Sequence, residues 1–232
     1  IAQRRTAITN EEREQNSNQE LKILSANTSF KFLDKPLSEI AIINLLSDLK
    51  HRVFPRPFER LYKDRDKNDL VGVEIGVAGG EHSLSLLETL KIKKLYCVDP
   101  YNIYEDYHEG KSHFGVDQAP IEETEIHAHK LLNNYKDNII WLKKLSNDAV
   151  RDIKEELDFV YVDGNHAENY VAEDIQNYFP LLKKGGVIGG HDFYNGFQNE
   201  HDGVISAVTR FANTNNLSLK IELPDWWIVK LN

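Results

Sequence analysis

A chain of 232 residues with 41% hydrophobic content is long and apolar enough for one α/β core with additions. Its formal net charge of −9 argues against a protein that tracks nucleic-acid phosphates or lies on an anionic membrane, because both need a basic face. Its single cysteine, Cys97, leaves no disulfide framework and no multi-cysteine zinc site. No run reaches the length of a membrane span and the polar N-terminus does not read as a signal peptide, so the expected setting is cytoplasmic.

Residues 1–20 are rich in Gln, Asn, Glu and Arg without apolar periodicity, which reads as an exposed arm or frayed helix. Pro36 and Ser38 open a helical pattern through Leu49, carried by Leu37, Ile40, Ile43, Leu46 and Leu49. The stretch FPRPFERLYKD, from Phe54, is a broken connector that would cap a sheet or help cover a ligand. Residues 1–68 are thus expected as an N-terminal addition to a domain spanning 69–232.

The next stretch organises the rest. Val71, Val73, Ile75 and Val77 predict a strand buried on both faces of a parallel sheet. Gly76, Gly79 and Gly80 then supply a turn that lets backbone approach a ligand, and Ser83 to Leu90 carries Leu84, Leu87 and Leu90 at helical spacing. Strand, glycine turn and helix N-terminus together suit a nucleotide or a carboxylate. The dinucleotide pattern G-x-G-x-x-G is not matched, which disfavours an NAD-linked oxidoreductase. Instead Glu74, Gly76 and Gly80 form an acid-x-Gly-x-x-x-Gly pattern that resembles the first motif of class I S-adenosylmethionine-dependent methyltransferases.

A second strand is expected over 94–99, ending in Asp99. An acid there, about 20 residues beyond the glycine turn, is placed to meet ribose hydroxyls. Between Tyr101 and Pro120 lies a loop longer than a connection needs. Its Tyr101, Tyr104, Tyr107, His108 and His113 are candidates to line an acceptor pocket, against the alternative of a solvated excursion. IEETEIHAHKLLNNY reads as a helix whose His127 and His129 face different sides and make a poor metal pair. A third strand, 138–142, leads to Ser146, Asn147 and Asp148, which open a short helix as ordinary capping residues would.

The stretch LDFVYVDGNHAENYVAEDIQNYFPLLKKGGVIGGHDFYNG carries the most information. Strand four, 158–163, ends in Asp163, with His166 three residues on. A helix runs through Leu182, Lys184-Gly185-Gly186 turns, and strand five, 187–191, ends in His191-Asp192. Neighbouring parallel strands lie about 4.8 Å apart, so these polar ends meet at one sheet edge. GVISAVTRFANTNN then predicts a helix, and LSLKIEL and WWIVKLN a hairpin joined at Pro224-Asp225, with Trp226 and Trp227 in packing roles.

Taken together, EIGVAGGEHS, VDPY, VDGNHAENY and GGVIGGHDF resemble the methyltransferase-24 family, relatives of sugar O-methyltransferases, over about residues 69–230. The resemblance implies a Rossmann-like α/β fold with a mostly parallel seven-stranded sheet and an antiparallel C-terminal hairpin. It implies S-adenosylmethionine held by Glu74, Gly76, Gly80, Ser83, Asp99, Ser146 and Asp163. It further implies a divalent metal, Mg²⁺ by preference, on Asp163 and Asp192, with His191 standing where relatives often carry an acid. His166 takes the place of a catalytic lysine and, with Asp163, is the expected catalytic group. The implied partner is a small-molecule hydroxyl acceptor, sugars included, and a homodimer is compatible with it. The rivals are a metal-independent methyltransferase and a noncatalytic metabolite-binding module on the same fold.

Overall fold

In the computed structural model, which describes residues 53–62, 64, 66–104, 118–194 and 202–231, the run around Val73 forms strand β1 (Leu70–Ile75), buried at every position. Burial on both faces is what a continuous apolar run demands in the middle of a parallel sheet. β1 pairs in parallel with β2 (Ile92–Val98) on one side and β4 (Leu157–Val162) on the other. β3 (Ile139–Leu142) adds beside β2, and β5 (Leu182–Gly190) beside β4, both parallel. β7 (Asp225–Val229) and β6 (Leu219–Glu222) complete the sheet antiparallel, as the expected hairpin.

The order is β3-β2-β1-β4-β5-β7-β6. The chain builds outward from β1 and then returns to lay β4 against its other side. That reversal opens a crevice at the carboxyl ends of β1 and β4, the position where open α/β sheets bind ligands.

Alternate strand residues feed two cores. Leu95 and Phe159 face a layer containing α1 (Pro57–Leu61), α2 (Glu81–Thr89) and α3 (Gln118–Leu131), through Phe58, Leu86 and Ala128. Val73 and Val160 face the layer of α4 (Ser146–Ala149), α5 (Glu168–Tyr178) and α6 (Asp202–Thr214), through Ala149, Ile175 and Val208. Phe58 of α1 lies on Gly189 of β5, where a Cβ would come within 2.7 Å of its ring. A missing side chain on the sheet is thus what seats the connector segment. Trp226 is fully buried and Trp227 partly so, both in packing roles.

Two expectations about the β5 region are corrected. The helix before it stops at Tyr178, because Pro180 lies in the 3₁₀ turn Phe179–Leu181 and cannot donate to a continuing helix. Lys184-Gly185-Gly186 is then no turn but part of β5, with Gly185 at φ 79° and a register shift against β4 between Leu157 and Phe159. Glycine at a strand irregularity mimics a turn signal in sequence. β2, β4 and β5 also stop one residue sooner than expected, so Asp99, Asp163 and His191 are the first residues beyond their strands. The arm at 1–20, the helical pattern through Leu49, and Tyr107, His108 and His113 lie outside the described residues.

Candidate active site

The glycine turn is left-handed at three points: Gly76 (φ 85°), Ala78 (φ 45°) and Gly80 (φ 87°), with Gly80 preceding α2. Gly76 also sits against the end of β4. A Cβ there would lie 2.0 Å from the Asp163 carbonyl oxygen, so no other residue fits without parting the two strand ends. Asp99 ties the turn to the end of β2. Its Oδ2 accepts the N–H groups of Val77 and Ala78, each at 3.0 Å, and its Oδ1 accepts that of Tyr101 at 2.9 Å. The Tyr101 hydroxyl donates to the Ala78 carbonyl at 2.8 Å. Asp99 therefore braces the loop, and a carboxylate's roughly four acceptor sites leave it room for one ligand hydroxyl.

Beneath the turn lies a buried polar chain. Glu74 is fully buried, accepts a hydrogen bond from Ser83 Oγ, and lies 2.8 Å from His82 Nδ1. His82 Nε2 is 3.6 Å from Glu59 Oε1 of α1. Burial pushes Glu74 up to about 8 and Glu59 up to about 7, and holds His82 well below its ordinary value. At neutral pH, Glu74 and His82 thus form a largely uncharged pair, which is how ionisable groups tolerate so dry a place. Glu74 and Ser83, both expected at the cofactor, bond to one another here and join the end of β1 to α2.

These shifts set a pH dependence with a definite sign. A carboxyl whose folded pKa is raised keeps its proton in the folded state and loses it in the unfolded one, so stability falls as pH rises between about 4.5 and 8. His82 opposes this only below about 6.5, where the unfolded imidazole charges. Between pH 6.5 and 8 the chain should therefore lose stability in urea unfolding. Glu74→Gln should flatten that slope, with the variant gaining on the order of 3 kcal/mol over wild type between pH 5 and pH 8.5. Parallel pH profiles for the two proteins would remove Glu74 as the cause.

The remaining groups gather where β4 and β5 end. Val162 pairs with Gly190, which sets Asp163 beside His191. Asp163, His191 and Asp192 each offer a ligand atom within 4.8 Å of the others. His191 Nδ1 lies 2.9 Å from Asp192 Oδ1 and 3.9 Å from Asp163 Oδ1. Such separations suit neighbouring donors around one small ion with bonds of roughly 2.0–2.2 Å, and two carboxylates with an imidazole are a donor set that divalent metals accept. The residues present therefore fit a divalent metal. Asp192 has φ 59°, a left-handed conformation held by its partners. Burial pushes its pKa up, but the imidazoles of His191 and His166 outweigh burial and hold the carboxyl well below the usual range.

His166 Nε2 lies 3.0 Å from Asp192 Oδ2, and the His166 side chain keeps 14% exposure, open enough for a substrate to meet it. Beside them Asn165 Nδ2 donates to the Tyr104 hydroxyl at 3.0 Å, and the Tyr104 ring lies 5.8 Å from that of Tyr170. Ser146 turns elsewhere. Its side chain bonds Asp174, and its carbonyl accepts from the Tyr178 hydroxyl at 2.8 Å, tying α4 to α5. Leu145, not Ser146, occupies the N-cap position of α4, without a side-chain capping bond.

Sequence reasoning missed Arg56. Its Nη1 donates to Asp163 Oδ2 at 2.7 Å and to the Tyr161 hydroxyl at 3.0 Å. The signal available was an arginine pinned between Pro55 and Pro57 next to the apolar Phe58, a charge too constrained for an ordinary solvated linker.

A sheet of this strand order, with a glycine turn after β1 and acids after β2, β4 and β5, defines the class I methyltransferase architecture. Residues 73–193 match the methyltransferase-24 family, a methyltransferase domain, and the chain belongs to that family of S-adenosylmethionine-dependent methyltransferases. An uncharacterized protein of Acanthamoeba polyphaga mimivirus is 28% identical over 157 residues, 62% of this chain and 64% of that protein. The chain thus matches less than two thirds of that relative's length. The O-methyltransferase NovP shares the fold at a TM-score of 0.55 and 14% identity, with 81% of each chain covered. MycE methyltransferase of the mycinamycin biosynthetic pathway, solved with Mg, SAH and Mycinamycin VI, shares it at a TM-score of 0.50 and 18% identity, covering 80% of this chain and 54% of that one. No helix among the described residues is long and apolar enough to cross a membrane.

Proposed function

We propose that the protein transfers the methyl group of S-adenosylmethionine to a hydroxyl oxygen of a small molecule, sugars included, with a divalent ion, Mg²⁺ by preference, held by Asp163, Asp192 and His191. The observation that carries this reading is the convergence of those three side chains within 4.8 Å at the sheet edge next to Gly76. In the transfer, the acceptor oxygen forms a bond to the methyl carbon as the carbon–sulfur bond breaks, leaving S-adenosylhomocysteine, and the hydroxyl proton goes to a base. A bound divalent ion would lower the hydroxyl's pKa and orient the acceptor.

The protein's own groups supply the rest. Gly76 and Gly80 keep backbone close to the cofactor, Glu74 and Ser83 hold that turn from below, and Asp99 meets the ribose hydroxyls. Asp163 serves both cofactor and metal. His166 takes the proton: its ring is oriented by Asp192, the arrangement a general base needs. MycE, with its bound Mg and SAH, supports the same combination of ligands on this fold. A metal-independent transfer is the second reading, favoured by the short contacts that Arg56 and His166 already make to Asp163 and Asp192.

Methyl transfer from labelled S-adenosylmethionine to a panel of catechols and glycosylated metabolites tests the proposal. Chelation should abolish turnover and added Mg²⁺ restore it, with Asp192→Asn raising the Mg²⁺ concentration needed. Undiminished turnover in chelator would promote the metal-independent reading. In calorimetry, Asp99→Ala should weaken S-adenosylhomocysteine binding by about tenfold or more, since it loses a ribose partner and three loop hydrogen bonds at once. Binding of NAD with no heat from S-adenosylhomocysteine would redirect the assignment.

A further inference from the structure

Arg56 reaches from the connector before α1 to the end of β4. Its Nη1 donates to Asp163 Oδ2 at 2.7 Å and to the Tyr161 hydroxyl at 3.0 Å, and its side chain keeps only 7% exposure. The rings of Phe54 and Tyr161 lie 5.3 and 5.7 Å from the guanidinium carbon. Its backbone is fixed as well, because the Arg56 N–H donates to Glu59 and the Phe58 N–H donates to Asp225 Oδ2 at 2.8 Å. Among the described residues, Arg56 Nε is nonetheless buried without a hydrogen-bond partner.

A permanent cation seated on one of the three metal-ligand candidates has a direct electrostatic consequence. A divalent ion at Asp163, His191 and Asp192 would share Asp163 with a unit positive charge, in a buried place where water screens little. We propose, building on the metal-assisted reading above, that Arg56 competes with the divalent ion for Asp163. Arg56 holds Oδ2 while Oδ1 faces His191 at 3.9 Å, so the ion takes the whole carboxylate only as the guanidinium gives up Oδ2, and metal entry is coupled to the segment at 53–62. The metal affinity of the wild-type chain is then lowered by the fraction of molecules in which Arg56 occupies Asp163. Arg56 is in this sense a positioning residue: it acts on the reaction through Asp163 and through the ion.

The test titrates Mn²⁺ into the full cofactor-free chain and reads free ion by electron paramagnetic resonance. Arg56→Gln should bind Mn²⁺ at least about tenfold tighter than wild type, and Arg56→Lys should fall between the two. Damage to the site would loosen binding, so the expected sign separates competition from a merely structural role. A second measurement needs no variant. In arginine-labelled wild type, the nitrogen resonances of the Arg56 guanidinium should shift on saturation with Mg²⁺ as the bond to Asp163 is lost. Equal or weaker Mn²⁺ binding by Arg56→Gln, or an Arg56 signal unmoved at saturating Mg²⁺, overturns the competition while leaving the metal site intact. Failure of both proteins to bind Mn²⁺ overturns the metal reading with it.

Discussion

His166→Ala is expected to lower methyl transfer by about 10²- to 10⁴-fold, the usual cost of removing a general base. The deficit should shrink as pH rises, because an acceptor hydroxyl ionises without help once the solution approaches its own pKa. The prediction rests on geometry. His166 stands three residues beyond Asp163, its Nε2 is 3.0 Å from the buried Asp192 carboxylate, and part of its ring remains accessible. Asp192→Asn should behave differently, since an amide orients the ring less well and also weakens the ion: its loss should be partly recovered by excess Mg²⁺, whereas that of His166→Ala should not. A His166→Ala deficit that is flat with pH would assign His166 to holding Asp192 in its left-handed conformation instead of to proton transfer.

Gly76→Ala carries the second large effect. The added methyl would sit 2.0 Å from the Asp163 carbonyl oxygen and 2.7 Å from Gly164 Cα, and the backbone would have to keep φ 85° with a side chain present. The left-handed conformation costs roughly 1–2 kcal/mol and the overpacking about 1–3 more, so stability should fall by on the order of 3 kcal/mol. S-adenosylhomocysteine affinity should drop with it, by well over about tenfold, because the clash parts the strand ends that form the crevice. Gly79→Ala is the control. The nearest atoms to its new methyl would belong to the carboxylate of the exposed Glu81, at 2.5 Å, which can swing away, so its stability should stay within about 0.5 kcal/mol of wild type. Equal damage from both substitutions would mean that the turn needs glycine for chain flexibility and not for the approach of β4.

Much of this was legible in the chain because the signals were local. β-branched residues at Val71, Val73 and Ile75 are buried in β1, and the acids expected at the ends of strands two, four and five do sit there, displaced by one residue into the loops. The hairpin at Pro224-Asp225 also follows from its own sequence. The misread parts depend on partners far away in the chain. Gly185 reads as a turn residue until Leu182 is seen paired with Leu157 and Lys230 exchanging hydrogen bonds with Gly185 and Gly186. Nothing local to Tyr101 announces that its hydroxyl braces Ala78. Arg56 and Asp163 are 107 positions apart, and no periodicity in a proline-broken connector announces such a contact.

If one sheet edge holds both the cofactor and a divalent ion, crystals grown with S-adenosylhomocysteine and Mn²⁺ will show the two side by side. S-adenosylhomocysteine is expected along the turn from Gly76 to Gly80 with its ribose on Asp99, and an anomalous manganese peak bonded to Asp163, Asp192 and His191 with Arg56 drawn off Asp163. S-adenosylhomocysteine bound elsewhere, or bound as predicted while saturating Mn²⁺ leaves no peak among those three side chains and Arg56 stays on Asp163, would contradict it.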